Sequence, residues 1–430
     1  MSIDQATTAT SKPARRLNPT FASFSSYNFR LYWSGGLVSQ IGTWMQMIAQ
    51  PWLVLEITHS PVALGAVTAL QSLPVLFLAL FAGVYVDRFP KRELLMVTQT
   101  LMLLQAIALG VLTITGVVQL WHIYVLALFL GLVSALDNPA RQAFVVELVG
   151  RERVVNAVSL NSAQFNGARL VGPAIGGAMI AAFGVGVCFF VNAGSFLAML
   201  VGLFFIRPAE LRLQPPRVGD AQRVLAQLGE GLRFVFGRKD MVTVILLIAG
   251  LGCFGFNWGT VIPLLATDAL HSDASGFGLL MTGFGIGALL SALVFAGIKT
   301  NEKRLILAAT AFSIIYFLVG FAPWFGLAFG LLALLGVCAM GFAPGANSLL
   351  QLKSPDELRG RVMGLYTMLM AGSTPVGAMV TGLLTNVIGI RLTIAAEAAV
   401  CGLSVLGAVL YRARARAGAE ALPSASALAA

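Results

Sequence analysis

Apolar residues run through this chain in long, nearly unbroken blocks, and the polar residues collect in the gaps between them. In windows of about 19 residues, twelve blocks are long enough to cross a hydrocarbon core of roughly 30 Å as helices. They cover residues 32–57, 62–86, 94–115, 119–141, 154–181, 184–206, 241–266, 276–298, 304–322, 326–350, 360–388 and 391–411. The pattern predicts an all-α integral membrane protein with twelve transmembrane helices.

Composition agrees: 58% of the 430 residues are hydrophobic, only 11% are charged, and the mean hydropathy is +0.85. That usage is far from a soluble domain's. Lys and Arg are retained on the cytoplasmic side of short loops. Of the 28 basic residues, all but Arg169 and Arg391 fall in the N-terminal segment, the C-terminal tail, or the alternate loops beginning after the second block and the block ends beside them. Both termini are expected in the cytoplasm and the chain in the cell inner (plasma) membrane. The first residues are polar, with Lys12, Arg15 and Arg16 and no cleavable signal pattern. The net charge of +10 reports orientation, and no basic folded surface suggests a nucleic-acid partner. Cys188, Cys253, Cys338 and Cys401 all lie inside blocks, without disulfide or metal spacing, and read as packing residues.

The longest polar segment, 207–240, divides the blocks six and six. The expected organisation is a cytoplasmic segment 1–30, a six-helix half 31–206, a linker 207–240, a second half 241–411 and a cytoplasmic tail 412–430. From Asp220 the linker places Val224, Leu225, Leu228, Leu232, Val235 and Phe236 at helical spacing, as in an amphipathic helix on the inner membrane surface. The halves also resemble each other: at an offset of 205, Pro139 meets Pro344, Glu152 meets Glu357 and Leu160 meets Leu365. Internal repeats of this kind build many transporters.

Between the second and third blocks the chain reads GVYVDRFPKRELL, with one acid and three bases ahead of Glu93. This resembles the signature of the major facilitator superfamily at Gly83, Asp87, Arg88 and Arg92, while Pro90 and Lys91 depart from the usual residues without changing the charge pattern. ALDNPARQAF (135–144) and LVGPAIGG (170–177) resemble counterparts in its drug and siderophore exporter branch, typified by enterobactin-exporter-like and macrolide-efflux-like proteins. The resemblance implies two pseudo-symmetric six-helix halves that alternate access, export, and proton antiport. A carboxylate near a helix N-terminus is favoured by up to about 2 kcal/mol. Asp87 is therefore expected beside the start of span 11, with Asp137 pairing with Arg88, Lys91 or Arg92, as a cytoplasmic latch; the same charges also serve loop anchoring and topology. Gly172, Pro173, Gly176 and Gly177 form the antiporter-like motif, where small residues let backbones approach and proline loosens one turn.

Arg169, one turn before that motif, costs on the order of 3 kcal/mol at bilayer depth and must face the bundle interior or a watery cavity. Its partner is a substrate anion or an internal carboxylate. Arg169, Glu56, Asp137 and Glu397 are the candidate coupling or substrate charges, and Asp268 lies near membrane depth at the end of span 7. Polar faces within spans sketch a cavity from Gln40, Thr43, Trp44, Met47, Gln71, Asn161, Gln164, Asn257, Trp258 and Tyr366, a lining of amide, Met and aromatic groups suited to large amphipaths. Polar residues at this spacing also act as interhelical glue.

His59, His122 and His271 lie in or beside separate outer loops, so no catalytic constellation or metal site is expected. No GxxxxGK[ST] loop offers a nucleotide site. The expectation is a gradient-driven exporter of small amphipathic molecules with no cofactor beyond the suspected proton gradient, bounded by membrane lipids and functional as a monomer. A lysophospholipid transporter is the nearer alternative; a non-transporting receptor or membrane enzyme is the distant one.

Overall fold

Long apolar blocks become long helices because a helix satisfies its own backbone groups. The computed structural model describes residues 19–212, 229–230, 232–294 and 300–420. In chain order the helices are α1 (Tyr27–Thr58), α2 (Pro61–Val86), α3 (Lys91–Ile114), α4 (Leu120–Val149), α5 (Val154–Phe183) and α6 (Val185–Phe204). After the linker come α7, in two legs Lys239–Gly255 and Trp258–Ala269 bent by 43°, then α8 (Ala274–Val294), α9 (Glu302–Gly320), α10 (Phe325–Lys353), α11 (Asp356–Met370) and α12 (Thr374–Glu420). Gly389, at φ 78° and ψ 160°, reverses α12, so that its first leg continues α11 and its second returns. A side chain at that φ would be strained.

Twelve crossings result among the described residues. Nine stretches are apolar enough on their own, counting bent α7 once and Leu358–Arg414, which holds two legs, once. The other crossings are α1 and α5, which carry polar side chains inward.

The described chain begins and ends at one face, called here the terminal face; the opposite one is the far face. Helix α1 packs on α5 and α6, α3 on α4 and α6, and α2 on α4; in the second set α8 packs on α10, and α9 on α10 and α12. Pro139 in α4 and Pro344 in α10 stand equally far from the starts of their helices. His59 and His271 close the far-face turns after α1 and α7 with positive φ of 52° and 48°, a conformation that histidine tolerates better than most side chains. The repeat in the sequence is thus a repeat in space.

Two crossings seal the sets together toward the far face. A Cβ on Gly177 would lie 2.7 Å from the Ala274 carbonyl oxygen, and one on Gly278 would lie 2.5 Å from that of Pro173. Across the pseudo-twofold, a Cβ on Gly65 would lie 2.5 Å from the Ala378 oxygen, and one on Gly382 would lie 2.6 Å from that of Pro61. Real Cβ atoms do not come this close, so only glycine permits both approaches. Toward the terminal face no comparable packing joins α4 to α10 or α11 among the described residues.

Of the linker helix, Val224, Leu225 and Leu228 lie outside the described residues. Residues 232–236 are helical, with Val235 fully buried and Leu232 and Phe236 exposed.

Candidate substrate cavity and its gates

The bend in α7 opens the centre of the molecule. Asn257 leaves helical geometry between two π-helical turns, Leu251–Gly255 and Leu265–Ala269. Such turns free backbone groups and often mark functional sites. Around this break lies a cavity of about 410 Å³, walled by both helix sets and including Phe256, Asn257 and Trp258 from α7.

Thr43, Trp44, Met47, Gln71, Asn257 and Trp258, expected from helical spacing, line this cavity together. Gln40, Asn161, Gln164 and Tyr366 are not part of its wall. Gln164 is buried against α1, its amide nitrogen 2.7 Å from where a Gly36 Cβ would stand. The Tyr366 hydroxyl donates to the Ala343 carbonyl at 3.1 Å and ties α11 to α10. Asn161 Oδ1 is buried without a partner, and Gln40 is half-buried. Periodicity locates a face of a helix, whereas depth and neighbour decide what the face meets.

Other wall residues were not singled out by spacing: Gln46, Asn192, Met281, Phe284 and Met340. Asn192 Nδ2 donates to Gln46 Oε1 at 2.6 Å, and Gln46 Nε2 donates to Gln105 Oε1 at 3.2 Å. Gln50 Nε2 donates to Gln71 Oε1 at 3.0 Å. Isolated amides in the apolar spans 3 and 6 were the available signal, since in lipid such groups must find partners or line a cavity. In the second set, Trp258 packs within an aromatic cluster, its ring 4.4 Å from that of Phe284 and 6.1 Å from that of Tyr316. The first set supplies four of the five lining amides, and the second three of the five lining aromatic rings.

The four candidate charges part company. Arg169 lines the cavity and is 9% exposed. Its Nη2 donates to Asn166 Oδ1 at 2.8 Å, and its guanidinium carbon lies 6.0 Å from the Phe165 ring centre. Asp137 is buried and pairs within α4, receiving Arg141 Nε at 2.5 Å, the Thr98 hydroxyl at 2.7 Å and Gln99 Nε2 at 2.8 Å. Arg141, one turn on in the same helix, takes the place expected of Arg88, Lys91 or Arg92, because an i,i+4 partner needs no neighbouring helix to arrive. Glu397, 1% exposed, accepts from the Tyr316 hydroxyl at 2.5 Å and from the Thr381 hydroxyl, with no cation bonded to it among the described residues. Glu56 is exposed, near Asp268 and His59 in a recess at the far face.

At the proposed latch, Arg92 donates to the carbonyls of Leu203 and Phe204 at 2.8 and 3.0 Å, capping the C-terminus of α6, where a cation suits the helix dipole. Lys91 Nζ donates to the Phe89 carbonyl at 3.0 Å, and Arg88 is exposed. Asp87 is half-buried, with no hydrogen bond or ion pair among the described residues. Gly83 lies in α2, and its surroundings fall outside the described set. The glycines of the antiporter-like motif serve two neighbours. A Cβ on Gly172 would lie 2.5 Å from Trp44 Cβ, and one on Gly176 would lie 3.1 Å from Met45 Cα. Both press α5 onto α1, while Pro173 and Gly177 meet α8.

A bundle of twelve crossings in two pseudo-symmetric sets around a central cavity defines a major facilitator transporter. It aligns at a TM-score of 0.67 with a bacterial homologue of the human lysosomal transporter Spinster solved inward-facing and unoccupied, 12% identical, over 92% of this chain and 97% of that one. Residues 18–428 match the model of the transmembrane secretion effector family, and the chain belongs to that family. It is similar to the multidrug efflux pump Tap of Mycolicibacterium fortuitum, 30% identical over 83% of this chain and 89% of the relative. The staphyloferrin A transporter of Staphylococcus aureus is 25% identical over 85% and 91%. The chain is a multi-pass membrane transporter and not an enzyme.

Proposed function

We propose that this protein exports small amphipathic molecules of the drug or siderophore class from the cytoplasm by alternating access, in exchange for protons. The central cavity carries the reading: it lies between the two sets, is sealed toward the far face by two glycine crossings, and lacks equivalent packing toward the terminal face among the described residues. Basic residues crowd the terminal-face loops and tail, which supports a cytoplasmic terminal face in the inner membrane. The cavity then stands open to the cytoplasm, ready to load. Relatives named for drug efflux and siderophore transport support the substrate class.

Glu397 is the proton carrier in this reading. A hydroxyl both donates and accepts. Tyr316 and Thr381 can therefore bond Glu397 in its charged and neutral forms, whereas neutral Asp137 would strand Arg141. Tyr316 touches the cavity-lining Trp258, so a proton change lies one side chain from substrate. Closure toward the cytoplasm would bring α11 to Asp87 and form the latch. One chain supplies the whole cavity, which supports action as a monomer.

The test is accumulation of amphipathic dyes, antibiotics and siderophores in cells with and without the protein, before and after the proton gradient is collapsed. Lower accumulation that vanishes with the gradient is expected. Unchanged accumulation of every compound, with the protein present in the membrane, would refute export of this class.

A further inference from the structure

Two residues of the cavity wall, Arg169 and Asn257, each keep one buried polar atom without a partner behind the wall, the Arg169 Nε donor and the Asn257 Oδ1 acceptor. Arg169 is also the one charged residue on that wall among those described. Neither Asp137 nor Glu397 neutralises it, since Asp137 is held by Arg141 and Glu397 by Tyr316 and Thr381. A guanidinium removed from water without an anion is costly, and a buried N–H without an acceptor adds to that cost. Carboxylates, sulfonates and phosphates fit its fork of donors through charge-assisted bonds. Elsewhere on the same cavity lining, Trp258, Phe284, Met281 and Met340 offer apolar and polarisable surface for a hydrophobic body.

We propose that Arg169 anchors the anionic head of the substrate, so that the cavity selects amphipaths carrying a carboxylate, sulfonate or phosphate over neutral or cationic molecules of the same shape. The assignment rests on the amphipath-transport reading and narrows it to one charge class. It also gives Arg169 a role that changes during the cycle, because the guanidinium is paired when loaded and unpaired when empty.

The experiment compares two dyes on one scaffold, 8-anilinonaphthalene-1-sulfonate and N-phenyl-1-naphthylamine, which lacks the sulfonate. Binding to the full chain in nanodiscs is read from quenching of Trp44 and Trp258, both on the wall, against empty nanodiscs. The wild type is expected to prefer the sulfonate. Arg169→Gln should weaken sulfonate binding about tenfold or more, the scale of a charge-assisted bond, and leave the neutral dye unaffected; Arg169→Lys should fall between. Retained binding of the neutral dye shows that the variant is folded. Equal loss of both dyes, or unchanged sulfonate binding, overturns the anchor. If wild type binds the neutral dye without preferring the sulfonate, the anion assignment fails alone; if it binds neither, the amphipath reading fails with it. Displacement of the sulfonate by 1-naphthoate assigns a soluble anion, and displacement by lysophosphatidylglycerol alone assigns a lipid head. Displacement by neither places the dye elsewhere and overturns the anchor.

Discussion

Asp137 and Glu397 are both acids buried in membrane-crossing helices, yet their surroundings differ in kind. Asp137 receives a cation, a hydroxyl and an amide, so its charge is matched on the spot. Glu397 receives two hydroxyls and, among the described residues, no cation. Removing one member of a buried ion pair strands the other charge, at about 3–5 kcal/mol. Gaining or losing a proton beside hydroxyls strands nothing. The first arrangement suits a fixed strut and the second a group that changes state, which separates two residues that look alike in sequence.

The largest expected effect follows directly. Glu397→Gln keeps size and hydrogen bonding but cannot shuttle a proton, so export against a gradient in proteoliposomes should fall to background while substrate counterflow continues. Intact concentrative export by this variant would sink the proton-site assignment. Asp137→Asn should instead act on folding, lowering stability by about 3 kcal/mol because Arg141 is left unpaired. Thermal unfolding in detergent reads this, and adding Arg141→Gln should restore part of the loss. If Glu397→Gln proves as unstable as Asp137→Asn, the contrast between strut and carrier collapses.

Asp87 sharpens the comparison as an acid with no bonded partner among the described residues. If it latches the closed state, Asp87→Asn should slow export several-fold with normal abundance and stability, since a helix N-terminus favours the charged form by up to about 2 kcal/mol. Unchanged flux at equal abundance would leave it a loop anchor. The smallest effect belongs to Asp273, which caps α8 outside the bundle. Its Oδ1 accepts from the Ser275 hydroxyl at 2.6 Å and the Gly276 N–H at 2.9 Å, and these bonds hold its carboxyl below the usual carboxylate range. The cap is therefore in full force above that range and is lost as pH falls below it, through the lowered value of the folded state. Asp273→Ala should cost about 1 kcal/mol at neutral pH and remove this acid dependence, as seen in melting curves across pH. An unchanged acid dependence in the alanine variant would assign it to other groups.

Much of the fold was legible because a membrane-crossing helix announces itself by length and apolarity. Boundaries moved chiefly where helices run on past the hydrocarbon: α4 continues to Val149, whereas its apolar block ends at Arg141. Six of the ten spacing-derived cavity residues line one cavity, because the polar faces of α1, α2 and α7 do turn inward. Gln164 and Tyr366 show the limit: their spacing is equally periodic, but one packs under α1 and the other bonds α10. Gln46 and Asn192 show the converse, two ordinary amides whose 2.6 Å bond makes part of the wall.

The sequence by itself determined the solvent of this protein, its crossings, its repeat and the family to which it belongs, because hydropathy, glycine and charge placement are local properties. Only the tertiary structure decided which charges are matched. The i,i+4 spacing of Asp137 and Arg141 permits their pairing within α4, but only the packing of α3 brought Thr98 and Gln99 to the same carboxylate. Glu397 was one of four candidates until its bonded neighbours proved to be hydroxyls. Arg169 was an expense without a stated partner until its Nε stood unpaired beside a cavity whose described wall holds no acid. Coulomb energy and desolvation depend on distances between helices far apart in the chain, and no spacing along one helix encodes those.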